Sequence, residues 1–333
     1  MKKIPCNVQS LLSASNQITN HKKAVEELVY NALDAGATSI AIRMNSQKNT
    51  IQVIDNGCGV YSKDYKVIGH KYMTSKIFDL STMKSAPNKY GFRGQALANI
   101  INISKSVKVI SRHEHSEETW MKLFEYGVEK LIDRSSIRAS KGTTVEIIGF
   151  LYNLSIQKKA KDILGDLQSI KIFLEHLSLI HCNVSLSLRD DSKNEITFKM
   201  HKNRDIYQTL STLYQKDKNN LQELLVEKSE YKVTAYLEKS EGTGKEMIFI
   251  NGKLIKFTSK LHKMVNNSLS NHFEIKMRGI QKSKLMNMNT EEENWFKKKN
   301  PDYFIFIKCP YLDYDLSNSQ SALEFRDWDQ INK

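Results

Sequence analysis

Residues 24–59 read AVEELVYNALDAGATSIAIRMNSQKNTIQVIDNGCG, and this stretch decides the fold. Its first part places apolar residues at 25, 28, 29, 32 and 33, a spacing that predicts an amphipathic helix over 24–34. TSIAIRM (38–44) and TIQVID (50–55) then alternate apolar and polar residues as strands do, with a polar SQKN turn between them. A helix followed by two paired strands starts an α+β sandwich, in which helices lie on one face of a mostly antiparallel sheet.

Downstream, a stretch from about 57 to 93 holds glycines, serines, lysines and Pro87. It is long for a connection within a compact domain, and such loops tend to be functional lids. A helical pattern resumes at GQALANIIN (94–102), and alternating segments at 103–112, 118–125 and 143–150 predict antiparallel strands. A long helix over 158–180 and strands near 182–189 and 194–199 complete a first domain, expected to span 1–202 and to end at the polar break HKNRD (201–205). The second domain, 203–333, is expected to contain a helix at 205–215, strands near 222–228, 231–238 and 245–250, a helix at 257–270 and a strand pair around 303–316.

Bulk properties narrow the function. A length of 333 residues suits two domains. No apolar run approaches the roughly 20 residues a membrane helix requires, so no membrane association is expected. Cys6, Cys58, Cys182 and Cys309 form no CxxC pair, which argues against a zinc site or a disulfide framework. The charge balance of 50 basic against 37 acidic residues, a net +13, favours a polyanionic partner.

Four short elements carry chemistry. Glu27, Asn31 and Asp34 are separated by four and three residues, which puts them on one helix face opposite the apolar stripe. A solvated polar face would look similar, yet asparagine is a poor mid-helix choice for a merely wet surface. An amide oxygen can ligate Mg²⁺, and a carboxylate one turn earlier can orient or deprotonate an attacking water. The second element is DNGCG: Asp55 ends a strand where a carboxylate can accept from an adenine amino group, and Gly57 and Gly59 allow a sharp turn or a close approach. The third is YGFRGQAL (90–97), in which glycines precede a helix whose free N–H groups would face an anion, with Thr74, Ser75 and Lys76 just upstream. The fourth is GTTVEI (142–147), where threonines enter a strand. Each alone is an ordinary turn, face or strand start. In this order within some 120 residues, they are poorly explained by coincidence.

VEELVYNALDAGATSI, IQVIDNGCGV, MTSKI, YGFRGQALANI, GTTVEI and LYNLSIQKK resemble the MutL mismatch-repair proteins, members of the GHKL ATPase superfamily. The closing YDLSNSQSALEFRDWD resembles that family's second domain, and Tyr30 with EFRDWD looks most like the MutL homologue 3 branch. The resemblance implies a Bergerat-type α/β sandwich followed by a smaller domain with a left-handed β-α-β crossover. It implies ATP and Mg²⁺ as ligands, Glu27 as general base, Asn31 as metal ligand and Asp55 as the reader of adenine, with Asp34, Gly57 and Gly59 shaping the pocket. Thr74, Ser75, Lys76, Gly91, Phe92, Arg93, Gly94 and Gln95 would surround the phosphates, and Thr143 would support the base pocket. It further implies an ATP-gated clamp on double-stranded DNA, a MutL homologue 1-type subunit as partner, and nuclear roles in mismatch repair and meiotic crossing-over. GHKL chaperones and kinases share the Asn and the DxGxG but not ELVxNALDAGAT with GFRGxAL, and no histidine here lies in a convincing phosphoacceptor helix.

Three departures stand out. Gln95 replaces a usual glutamate, Ser155 replaces a proline, and Gln320 stands where the family's lysine reaches the γ-phosphate. The last leads to an expectation of weak hydrolysis. The family's C-terminal dimerisation and endonuclease domain has no counterpart within these residues, so no nuclease activity is expected. Lys276, Arg278, Lys282, Lys284, Lys297, Lys298 and Lys299 are candidate phosphate neutralisers, or equally a solvated run.

Overall fold

The amphipathic helix predicted from 24–34 is α2 (His21–Asp34), and it buries Ala24, Val25, Leu28, Val29 and Ala32 on one face. It starts at Asn20, whose side chain accepts from the Lys23 N–H at 2.8 Å and so satisfies one of the orphan donors of the first turn. The strands β1 (Ser39–Asn45) and β2 (Thr50–Asp55) follow as a hairpin, with Ile40, Ile42, Met44, Ile51 and Val53 all buried. Their period-two alternation turns those side chains to one face of the sheet, toward the helices.

The computed structural model describes residues 5–73, 90, 94–154, 163–239, 243–256, 259–269, 301–310, 314–316 and 323–325. These divide into two compact units, Met1–Thr209 and Leu210–Lys333. In the first, β3 (Ser104–Arg112), β4 (Thr119–Glu125), β5 (Val128–Arg134), β6 (Gly142–Phe150), β7 (Ser185–Asp190) and β8 (Glu195–Met200) join the first hairpin. The eight-stranded order is β5-β4-β3-β6-β2-β1-β7-β8. Every pairing is antiparallel except β1 with β7. That parallel pair needs a crossover. Helices α1 (Cys6–Gln17), α2, α3 (Ala96–Asn102) and α4 (Ile163–Ile180) complete the unit; α2 packs on α3, α4 and the central strands.

One helix and one strand of the first unit escaped the sequence reading. Helix α1 contains Asn7, Ser10, Ser13, Ser15 and Asn16, all poor helix formers, and Pro5 before it supplies no side-chain cap. Packing on α3 sustains it, helped by Gln17, which accepts from Asn99 at 2.7 Å. Strand β5, VEKLIDR, lies almost wholly exposed on the sheet edge, so it carries no burial signal. What sets it is the two-residue Tyr126–Gly127 turn, with φ of +53° and +81°, which matches the strand twist in tight hairpins.

Helix α5 (Ile206–Tyr214) begins in the first unit, and the division falls after Thr209, beyond the polar break at 201–205. Arg204 explains why that segment stays with the first unit: its guanidinium donates to the carbonyls of Ser178 and His181 at 3.0 and 3.2 Å and of Val184 at 2.9 Å.

The second unit contains β9 (Leu221–Lys228), β10 (Tyr231–Glu238), β11 (Glu246–Ile250), β12 (Lys253–Leu254) and β13 (Tyr303–Lys308) in the order β12-β11-β13-β10-β9. Strands β11 and β13 run parallel, and the chain between them is helical over 260–269, forming a β-α-β unit. Its core gathers Ile248, Ile250, Ile255, Leu261, Tyr303, Ile305 and Ile307. A short pair, β14 (Tyr314–Leu316) with β15 (Leu323–Phe325), adds Phe325 to that core. No described helix is long and apolar enough to cross a membrane. Gln320 and the basic positions Lys276, Arg278, Lys282, Lys284 and Lys297–Lys299 lie outside the described residues, as does Ser155.

Candidate functional site

Three hydrogen bonds donated by backbone N–H groups join the four sequence elements near the C-terminal end of α2. The first joins the helix to the Asp55 turn: Cys58 N–H donates to the Ala35 carbonyl at 2.9 Å, and a Cβ on Gly57 would stand 2.8 Å from Ala35 Cβ. The second joins the helix to YGFRG: Tyr90 N–H donates to Asp34 Oδ1 at 2.9 Å. The third joins DNGCG to GTTV: Thr143 N–H donates to Asp55 Oδ1 at 3.1 Å. Segments separated by up to 88 residues therefore converge.

Asp55 is the most constrained group. Only 8% of its surface is exposed, and Oδ1 also accepts from Gly57 N–H at 2.8 Å. Burial pushes its carboxyl above the ordinary range, although the two N–H donors and the Arg138 guanidinium oppose that shift. Arg138 buttresses the turn from behind, donating to the Asp55 carbonyl at 2.6 Å, to Lys141 O at 3.0 Å and to Thr144 Oγ1. Thr143 Oγ1 meets Ser111 Oγ at 2.9 Å, and that hydroxyl also accepts from Val60 N–H at 2.9 Å. Ser111 and Arg138 were invisible in the sequence. Ser111 becomes recognisable only through the β3–β6 register, which sets it opposite Thr143.

The glycines are required by the protein's own backbone. Gly59 has φ of +74°, and a Cβ there would lie 2.1 Å from the Arg112 carbonyl oxygen. Gly142 has φ of +117°, and a Cβ would lie 2.1 Å from the Asp55 carbonyl oxygen. A side chain at either position forces β3 or the Asp55 turn outward.

Along α2, Glu27 is a quarter exposed and pairs with Lys23 Nζ at 2.9 Å. Burial alone would lower the Lys23 ammonium, but Glu27 and Glu26 beside it hold it above its ordinary value. Asn31 and Asp34 are half-buried on the same face. Tyr30 stacks on Tyr90 with ring centroids 4.5 Å apart and planes 4° from parallel, and Phe173 meets Tyr30 edge-on at 5.5 Å. Gly94, with φ of +60°, accepts from Tyr72 N–H at 2.8 Å, which ties the start of α3 to the segment before residue 74. Gln95 turns toward α1, its Oε1 accepting from Gln17 Nε2 at 3.1 Å. Thr74, Ser75, Lys76, Gly91, Phe92 and Arg93 lie outside the described residues.

Residues 18–147 match the family model described as histidine kinase-, DNA gyrase B-, and HSP90-like ATPase, the range that contains all four elements. The human DNA mismatch repair protein Mlh3 is 30% identical over 342 residues, an alignment covering 99% of this chain and 23% of that protein. The chain is a MutL-type ATPase region of the GHKL superfamily.

A bacterial MutL from Thermodesulfovibrio yellowstonii is 26% identical and covers 98% of the chain and 55% of its own length. The chain thus spans about a quarter of the human relative and about half of the bacterial one. Among solved structures, the Aquifex aeolicus MutL ATPase domain complexed with ADP matches 87% of the chain at 20% identity with a TM-score of 0.59. The N-terminal domain of a DNA repair protein matches 97% at 17% identity with a TM-score of 0.68. These likenesses establish the fold of the MutL-type region.

Proposed function

We propose that this MutL-type region binds ATP with Mg²⁺ in the space bounded by α2, the Asp55 turn and the loop that ends at Gln95, and hydrolyses it slowly. The observation that carries this reading is the convergence of Ala35 with Cys58, Asp34 with Tyr90 and Asp55 with Thr143. Asp55 Oδ1 is taken by two backbone donors, so Oδ2 is the oxygen assigned to the adenine amino group. Gly57, Gly59 and Thr143 shape the base pocket.

Asn31 is the metal ligand. No group of three or more His, Cys, Asp or Glu residues that could hold a metal ion occurs among the described residues. A single amide oxygen still fits Mg²⁺, because this hard cation draws its remaining ligands from phosphate and water. The ion would neutralise phosphate charge. Glu27 orients or deprotonates the attacking water, with Asp34 fixing the phosphate-side loop through Tyr90. Thr74, Ser75, Lys76, Gly91, Phe92, Arg93, Gly94 and Gln95 complete the phosphate environment.

Gln320 supports slow turnover. A cation facing the transferred phosphoryl group stabilises transition-state charge, and a neutral amide does so far less. In single-turnover assays with radiolabelled ATP, the chain is expected to hydrolyse at least about tenfold more slowly than a lysine-bearing relative, while equilibrium titration shows intact binding. Turnover at the relative's rate would refute this. Binding without any turnover would favour a nucleotide-sensing module, the second reading that Gln320 admits.

The wider role proposed is that of an ATP-gated arm in nuclear mismatch repair or meiotic crossing-over, paired with a MutL homologue 1-type subunit. The net charge of +13 supports contact with double-stranded DNA. Binding measured by fluorescence anisotropy is expected to weaken steeply between 50 and 200 mM salt, by about a hundredfold or more for several phosphate contacts, with little sequence preference. Salt-independent binding would remove the electrostatic basis of this assignment.

A further inference from the structure

Behind the site lies a residue that no motif contains. His181 follows the last residue of α4, and its Nε2 stands 2.7 Å from the Tyr90 hydroxyl. Burial pushes the Tyr90 hydroxyl far above its ordinary value, with the Asp34 carboxylate adding to the shift. Burial also pushes the His181 imidazole below its own. Both groups are therefore neutral, and a single hydrogen bond joins them.

His181 is itself held. Its carbonyl accepts from Arg204 at 3.2 Å, and the same guanidinium takes Ser178 O at 3.0 Å and Val184 O at 2.9 Å and bonds His201 O. Arg204 Nε donates to Thr209 Oγ1 at 3.1 Å. A cation on the last carbonyls of a helix satisfies groups that have no partner within it. From this anchor the contacts run inward. The Tyr90 hydroxyl is fixed by His181, its N–H binds Asp34, and its ring covers Tyr30. Tyr30 and Asp34 flank Asn31 on α2.

We propose that His181, held by Arg204, is a positioning residue for the nucleotide site, fixing Tyr90 and through it the Asp34 and Tyr30 side chains on either side of Asn31. The inference rests on the ATP reading above. Ring stacking by Tyr30, Tyr90 and Phe173 already provides the apolar contact. The hydroxyl–imidazole bond adds direction instead, selecting one placement of Tyr90 among those the stack would allow.

The test is calorimetric titration of the 333-residue chain with a non-hydrolysable ATP analogue and Mg²⁺. The proteins compared are wild type, Tyr90→Phe, His181→Leu, His181→Gln and the double variant Tyr90→Phe/His181→Leu. Each of Tyr90→Phe and His181→Leu is expected to weaken binding about fivefold, the typical worth of one hydrogen bond. The double variant is expected to lose no more than either single one, because both remove the same bond. His181→Gln, whose amide can either accept from or donate to the Tyr90 hydroxyl, is expected to recover most of the affinity. The heat-unfolding midpoint of Tyr90→Phe should match wild type, since its ring and stack are retained. Wild-type binding by Tyr90→Phe, or losses that add in the double variant, would overturn the proposal. Equal binding by all five proteins would defeat it while leaving the ATP reading intact, whereas no binding by wild type would defeat both.

Discussion

Asn31→Ala is expected to abolish binding of the Mg²⁺–ATP analogue, with a loss of at least about a hundredfold, or ~2.8 kcal/mol. Glu27→Ala, one helical turn earlier, is expected to bind within about threefold of wild type and to lose 10²–10⁴ in hydrolysis rate, the usual contribution of a positioned acid or base. The contrast follows from their proposed roles. An amide oxygen on the metal is part of the bound ground state, whereas a carboxylate on the attacking water matters only once the reaction begins. Neither change should unfold α2, since alanine is the best helix former and both side chains lie off the buried stripe. Lys23 keeps a carboxylate partner in Glu27→Ala, because Glu26 stands 3.5 Å away. Circular dichroism checks the fold and calorimetry with single-turnover kinetics checks the split. Wild-type binding by Asn31→Ala would sink the assignment of Asn31.

The second large effect concerns stability and lies in the second unit. Asp302 is fully buried just before β13 and holds four partners. Oδ1 accepts from the N–H groups of Gly244 and Lys245 at 2.8 and 2.9 Å, and Oδ2 from Thr243 Oγ1 at 2.7 Å and Lys216 Nζ at 2.6 Å. Lys216 is 5% exposed, and its other carboxylate is Glu238 at 2.8 Å. Asp302→Ala leaves two N–H groups, a hydroxyl and part of a buried ammonium unsatisfied. Breaking such a pair from one side costs about 3–5 kcal/mol, because the remaining charge stays desolvated. A denaturant titration should show the midpoint for the second unit falling accordingly, and a change within about 1 kcal/mol would contradict the reading.

The same network sets a pH dependence. Burial would raise the Asp302 carboxyl, but Lys216, Thr243 and the Lys245 N–H together hold it below its ordinary range. A carboxyl whose folded pKa is depressed contributes stability that is complete above its unfolded value, near 3.9, and lost as the pH falls through its folded value. The contribution of Asp302 is therefore intact at neutral pH and disappears only under acid conditions, below about pH 4. In Asp302→Ala that acid-dependent part should be absent.

The elements that the sequence declared and those it hid differ in a consistent way. Strands β1 and β2 were legible because one face of each is buried, so alternation had to appear in the residues. Strand β5 was hidden because neither face is buried, and only the backbone pairing with β4 makes it a strand. Helix α1 was hidden because its residues do not favour helix and its packing partner lies some 80 residues away. Within the proposed site, Glu27, Asn31, Asp34 and Asp55 stood out because residue type and spacing suggest their chemistry. Gly59 and Gly142 were legible as glycines, but their reason was not: each yields to a carbonyl oxygen of another strand or turn.

By itself the sequence determined the helix face that bears Glu27, Asn31 and Asp34, the turn after β2 and the family to which the motifs point. All of these depend on local periodicity and on residues whose chemistry is written in their side chains. Only the tertiary structure decided that Asp34 receives the Tyr90 N–H, that Asp55 shares its oxygen between Gly57 and Thr143, and that Ser111, Arg138, His181 and Arg204 stand behind them. Hydrogen bonds between distant segments arise from sheet register and helix packing, which are properties of the whole chain and have no period in the sequence.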